Sequence, residues 1–151
     1  MEDLKERIRK HLGKKIKQWY QHRDKRIYLS IRPEAIKEVT KFLFQDLELR
    51  FCTASGIDTP GGFEILYHFS HDETGVIYSV KVYIENKEKP EIESITPIIK
   101  SAEWIEREMW ELLGINFLNH PNLQHLILTE DWPEGEYPLR QKTEDRRQRT
   151  E

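Results

Sequence analysis

The sequence predicts an α+β domain in which an antiparallel β-meander is covered by helices and followed by a long extended C-terminal segment. Three observations lead there: three successive runs whose apolar residues alternate with period two, helical three-and-four spacing on either side of them, and a proline-bearing stretch with no sustained period. A length of 151 residues suits one such domain, assigned to residues 1–142 with a polar tail over 143–151.

The first element is set by charge. Residues 1–26 hold ten Lys/Arg against four acids, a balance of +6, which leaves -9 on the rest of a chain of net charge -3. Leu4, Ile8, Leu12, Ile16 and Trp19 recur every three or four residues, so a basic helix with one apolar stripe is expected over residues 1–25. Such a helix either docks by its stripe and leaves the charges solvated, or meets nucleic acid or anionic lipid. An independent nucleic-acid-binding domain is therefore the alternative function, although the meander lacks a basic-aromatic motif of the RNA-binding kind.

The α+β core is expected over residues 26–114. Arg26–Ile31 reads as a strand, and Pro33 sits where a first helical turn tolerates it, ahead of Ile36, Val39, Phe42 and Leu43. Leu47, Leu49 and Phe51 then share one face of a strand, Phe63, Ile65, Tyr67 and Phe69 the face of a second, and Val76, Tyr78, Val80, Val82 and Ile84 that of a third. Asp58-Thr59-Pro60-Gly61-Gly62 and His71-Asp72-Glu73-Thr74-Gly75 supply the turns of a meander. Pro90 closes the sheet region. Ser101 is placed to cap a helix that turns Trp104, Ile105, Met109, Leu112 and Leu113 to one side and stops at Gly114. On that helix Arg107 lies four residues from both Glu103 and Glu111, so the two carboxylates can clamp it, with Glu108 facing elsewhere. From residue 115 to 142 an extended partner-binding segment is expected. Pro121, Pro133 and Pro138 discourage regular structure there, and Phe117, Leu118, Leu126, Ile127 and Trp132 offer more apolar area than a free loop leaves wet.

Several chemistries are excluded or weak. With Cys52 as its one cysteine, the chain by itself holds no disulfide, no four-thiolate iron–sulfur cluster and no structural zinc site of the usual kind. Cys52 is expected as a small core residue. His68 and His71 lie three apart on a strand and so point to opposite faces, which disfavours a shared metal. Ser55-Gly56 lacks a nucleophile-elbow pattern, and Gly61-Gly62 opens no helix. No catalytic, cofactor-binding or metal-ligating set assembles. A mean hydropathy of -0.76 and the lack of an apolar run of membrane length give no direct membrane span, and a cytoplasmic setting is the expectation.

The run Glu106-Arg107-Glu108, then Glu111, two apolar residues and Gly114-Ile115, followed by His120-Pro121-Asn122-Leu123, resembles the signature of the 30 kDa subunit family of respiratory complex I. Leu126-Ile127-Leu128-Thr129, Asp131-Trp132-Pro133-Glu134-Gly135 and Pro138-Leu139-Arg140 resemble the C-terminal segment of the same family. The close match covers about a third of the chain, Ile92 to Lys142. Gln124-His125 departs from the arginines usual after the His-Pro pair and its leucine, and Glu111 stands where aspartate is common. Similar proteins occur in membrane-bound [NiFe] hydrogenases and related ferredoxin-dependent complexes.

The resemblance implies a cofactor-free structural subunit in the peripheral arm of a membrane-bound, ion-pumping oxidoreductase, on the cytoplasmic side of the membrane. Its implied partners are a hydrogenase-large-subunit-like (49 kDa-type) subunit and iron–sulfur subunits, which hold the clusters. The implied contact residues are Glu106, Arg107, Glu108 and Glu111 on the helix, His120 and Pro121 after it, and Trp132, Pro138, Leu139 and Arg140 in the segment beyond.

Overall fold

A computed structural model describes residues 3–129 and 131–140. Its elements are α1 (Leu4–Leu12), β1 (Ile16–Arg23), β2 (Arg26–Ile31), α2 (Ile36–Lys41), β3 (Arg50–Thr59), β4 (Gly62–His71), β5 (Val76–Ile84), β6 (Glu91–Glu93), α3 (Glu103–Leu113) and β7 (Asn116–Leu118). The expected tail over 143–151 lies outside the described residues.

Five strands form one sheet in the order β1-β2-β5-β4-β3. The meander is present as β3, β4 and β5, antiparallel throughout, with Ile65 opposite Val82, Tyr67 opposite Val80 and Phe69 opposite Tyr78. Those inward rows are buried because period-two alternation puts Phe63, Ile65, Tyr67 and Phe69 on the same side as Tyr78, Val80, Val82 and Ile84. The buried residues of α1, α2, the helical turn that follows α2, and α3 join them in one core, including Ile8, Leu12, Val39, Leu43, Met109 and Leu113. On the opposite row Glu64, His68, Lys81 and Tyr83 stay at least partly exposed, and Lys81 pairs with Glu64 across it at 2.8 Å.

The expected helix over residues 1–25 is corrected by the structure. It ends at Leu12, before Gly13, and the chain returns as strand β1, antiparallel to β2. Ile16 and Trp19 stand opposite Ile31 and Leu29, so they reach the core from a strand. The β-favouring pair Trp19-Tyr20 and the waiting edge of β2 outweigh a spacing that fits a helix equally well. The ten basic residues are thus spread over α1, β1, the first residue of β2 and the turns between them; Arg9 stacks over the Trp19 ring at 4.2 Å and Lys15 pairs with Glu38 at 2.7 Å. The sheet is also mixed, since β2 runs parallel to β5.

Other local expectations change. Cys52 is exposed, because the register with β4 slips between Phe51 and Thr53 and the bulge turns the thiol outward. Leu47 and Leu49 precede β3, although Leu49 is buried. Ser101 caps nothing: it lies in a 3-10 turn over Lys100–Ala102 that leads into α3. Trp104 is 65% exposed and so leaves the apolar side assigned to it. The sheet region does not close at Pro90, because β6 follows at once and pairs in parallel with β7. Ile115 and Phe117 consequently belong to the domain's own core, and the exposed arm begins only after Leu118. Gly114 does end α3, with φ of 81° in the left-handed region that glycine adopts without strain.

Candidate functional site

Helix α3 organises the site because 3.6 residues per turn divide its eleven positions into three useful stripes. Glu106, Met109 and Leu113 face the core, Glu103, Arg107 and Glu111 face the arm formed by residues 119–129 and 131–140, and Trp104, Glu108 and Leu112 look outward.

Glu106 is fully buried. Its Oε1 accepts hydrogen bonds from the hydroxyls of Ser94 and Thr96 and from the Thr96 amide at 3.3 Å, and its Oε2 accepts the Ile95 amide at 3.0 Å. Burial pushes this carboxyl above the usual range; the hydroxyls, the Ile95 amide and nearby His120 act the other way without overturning it. The His120 side chain is itself buried, with Nε2 4.0 Å from Glu106 Oε1. Its Nδ1 accepts the Asn122 amide at 3.0 Å, so Nε2 holds the proton and donates to the Glu103 carbonyl at 3.1 Å. The Tyr67 hydroxyl, buried and without a hydrogen-bond partner among the described residues, is pushed well above its ordinary range by burial and then by the Glu106 charge.

The expected clamp on Arg107 is half right. Glu103 lies 4.0 Å from its guanidinium, but Glu111 turns away. Arg107 donates instead to the carbonyls of Gln124 and His125, both at 2.9 Å. Glu111, buried, accepts the amides of Leu126, Ile127 and Leu128 at 3.1, 2.9 and 2.8 Å and the His125 Nδ1–H at 3.1 Å. Burial alone pushes the Glu111 carboxyl up, but these donors pull harder and hold it below the usual range. The arm thus shows α3 two carbonyls and then three amides, and a cation and an anion one helical turn apart meet them in that order. Each charge gains directional hydrogen bonds that an i,i+4 pair on the helix surface would not supply.

The far end of the arm is tied as well. Leu139 donates its amide to the Leu112 carbonyl at 2.9 Å, and Arg140 Nε donates to the Leu113 carbonyl at 3.1 Å while stacking over Phe63 and Tyr137. Trp132 is partly buried in its own turn, with Nε1 donating to the Glu136 carbonyl at 2.8 Å. Pro121 and Pro138 are exposed. Glu108 stays partly exposed beside β3, apart from the buried network.

Glu106, Arg107, Glu111, His120 and Arg140 are therefore brought together as the arm's support, while Pro121, Glu108, Pro138 and Leu139 remain at the surface. Sequence reasoning missed Ser94, Thr96 and Asn122. The two hydroxyls flanking Ile95 just before Pro97 were a usable signal; the backbone groups of residues 124–128 gave none, because every residue has them. Among the described residues no group of three or more His, Cys, Asp or Glu side chains is placed to hold a metal ion, and no helix is long and apolar enough to cross a membrane. His68 and His71 each bond a neighbouring hydroxyl, Ser79 and Thr74, at 2.7 Å.

The class that fold and site define is an α+β domain displaying a long arm braced on one helix. Residues 29–149 match the family described as "Respiratory-chain NADH dehydrogenase, 30 Kd subunit", and the sequence belongs to that family of respiratory-complex subunits. It is 37% identical over 122 residues to a subunit of the F(420)H(2) dehydrogenase of Methanosarcina mazei, a match covering 79% of this chain and 76% of that one. It is 36% identical over 122 residues to a subunit of the NADH-quinone oxidoreductase of Salinispora tropica, covering 74% of this chain but 49% of the relative, so it spans about half of that protein's length. In fold it is similar to one polypeptide of the membrane-bound sulfane sulfur reductase, an archaeal respiratory membrane complex, with a TM-score of 0.78 and 19% identity over 96% of this chain and 89% of that one.

Proposed function

We propose that this protein is a cofactor-free structural subunit in the peripheral arm of a membrane-bound, ion-pumping oxidoreductase of the complex I or membrane-bound hydrogenase type. It sits on the cytoplasmic side and packs by α3 and residues 119–140 against a hydrogenase-large-subunit-like partner, supporting electron transfer through iron–sulfur clusters that neighbouring subunits hold. The relatives named above are subunits of respiratory complexes, which supports assembly with other subunits.

The observation behind the choice of surface is the combination of a braced backbone with outward apolar side chains. Residues 124–128 are fixed by Arg107 and Glu111, yet Leu126 is 39% and Ile127 59% exposed. An arm held in one conformation while showing apolar groups to water loses little entropy on docking and gains the burial.

Affinity purification of the tagged protein from native membranes tests the reading. Recovery together with a stoichiometric large subunit is expected, and recovery as a lone monomer contradicts it. In the purified complex, Trp132→Ala should weaken association with little change in the thermal stability of the chain alone. Amide exchange of residues 126–128 should slow on assembly. Identical protection in the free and assembled states would remove this surface from the interface. Purified alone, the protein should show no visible absorption from flavin, nickel or iron–sulfur groups.

A further inference from the structure

α3 carries four carboxylates, and three of them are engaged: Glu103 by Arg107 and Asn122, Glu106 by the Ser94–Thr96 turn, and Glu111 by the arm. Glu108 makes no hydrogen bond or ion pair with the described residues. It lines a groove between α3 and β3, the strand at the edge of the sheet, with Gly56, Ile105, Met109, Leu112 and Leu139 around it. The groove is built into the fold. A Cβ on Gly56 would come within 2.8 Å of Leu113 and 3.1 Å of Met109, so glycine lets α3 lie close to the strand. Leu139, 59% exposed, is held at the groove's mouth by its amide bond to the Leu112 carbonyl. One turn before Glu108, Trp104 is 65% exposed and extends the apolar strip along the helix.

We propose that this groove receives an apolar segment of the partner subunit bearing one Arg or Lys, whose cation pairs with Glu108. The proposal rests on the reading that the protein is docked in a complex. Charge complementarity selects this occupant. A purely apolar occupant would strand a carboxylate away from water, which is strongly unfavourable, whereas a cation on an apolar segment satisfies Glu108 and covers the leucines, Met109 and Trp104 together. Residues 141–151 of this sequence include basic residues but no apolar side chain, so they match the charge and not the walls.

Carboxyl labelling with a carbodiimide and glycine ethyl ester, applied to the assembled complex from native membranes and to the released full-length protein, tests this. Glu108 should react in the released protein and be protected in the complex, while exposed Glu85 reacts in both. Glu108→Gln should weaken retention of the partner by about 30-fold or more, the effect of unpairing a buried interfacial charge, and Glu108→Asp should restore part of it. Thermal unfolding of the released variants should match the unaltered protein, which separates lost pairing from lost folding. Equal labelling of Glu108 in both states, or full retention by Glu108→Gln, overturns the groove assignment and leaves the subunit reading intact. Recovery of the protein without any partner overturns both. Protection in the isolated protein that rises with its concentration gives the groove to a second copy; protection that persists on dilution and is lost on deleting residues 143–151 gives it to the protein's own tail. Either result refutes the proposal.

Discussion

Replacing Glu111 by glutamine separates the bracing of the arm from the stability of the core. The carboxylate accepts three amides and the His125 ring. Glutamine keeps one acceptor oxygen, so the bonds to Oε1 persist in neutral form and each loses about 1 kcal/mol of charge assistance. The new NH2 group then faces the Ile127 amide, donor against donor. Water reaches this largely exposed stretch and recovers part of the loss, leaving about 2–3 kcal/mol against the docked arm. Amide exchange read by mass spectrometry should therefore speed up by about 30- to 150-fold at Leu126, Ile127 and Leu128. Tyr78 and Val80 in the central strand should exchange as before. Unchanged exchange at the three amides, or an equal rise in the core, would refute the view that Glu111 fixes the arm locally. The pH dependence has a definite sign. A carboxyl held low in the folded protein contributes fully above its unfolded value of about 4.3, and the contribution fades as pH falls through the lower folded value. Acid should accordingly free the arm, and Glu111→Gln should abolish that response.

Glu106→Ala leaves two hydroxyls and the Ile95 amide without their buried acceptor and should cost about 3–5 kcal/mol, seen as a fall of roughly 10 °C in the thermal midpoint. Because burial raises the Glu106 carboxyl, the folded protein holds that proton more tightly than the unfolded one, and stability should decline as pH rises from about 4.3 to the folded value; Glu106→Gln should flatten the slope in urea titrations. Gly114→Ala forces a side chain into the left-handed region and sets its Cβ 2.6 Å from the Tyr137 ring, so urea unfolding should show a loss of about 1–2 kcal/mol with faster exchange at Leu139. Exposed Cys52 should react with a thiol reagent in the native protein without lowering its thermal midpoint, and a lag until unfolding would return it to the core.

Much of the sheet was legible because burial on one side writes a period of two into Phe63–Phe69 and Val76–Ile84, and Gly114 marked a helix end by its freedom to take positive φ. β1 was not, since most of its side chains are exposed and its two inward residues, Ile16 and Trp19, also continue the helical spacing of Leu4, Ile8 and Leu12. β6 and β7 have three residues each, too few to show a period. At the site, the helical spacing of Glu103, Arg107 and Glu111 was readable, but their partners were not. Charged residues on an amphipathic helix ordinarily mark its wet side, and only the fold brings backbone groups some seventeen residues further on over that side.

The parallel joint between β2 and β5 also dictates an order of events during synthesis. Arg26 pairs with Ile77, fifty-one residues later, and Ile31 with Val82. The first hairpin therefore leaves the ribosome with its inner edge unmatched, and an isolated two-stranded hairpin is marginal in water. That edge must wait for the third strand of the meander, so the sheet closes from its middle, with β5 bringing two halves together. A nascent polypeptide arrested before residue 76 should consequently show unprotected amides across Arg26–Ile31, and one arrested well beyond residue 84 should show them protected. Until that strand emerges, the basic N-terminal residues travel beside an unfinished hairpin, a stage at which a holding chaperone has a defined target.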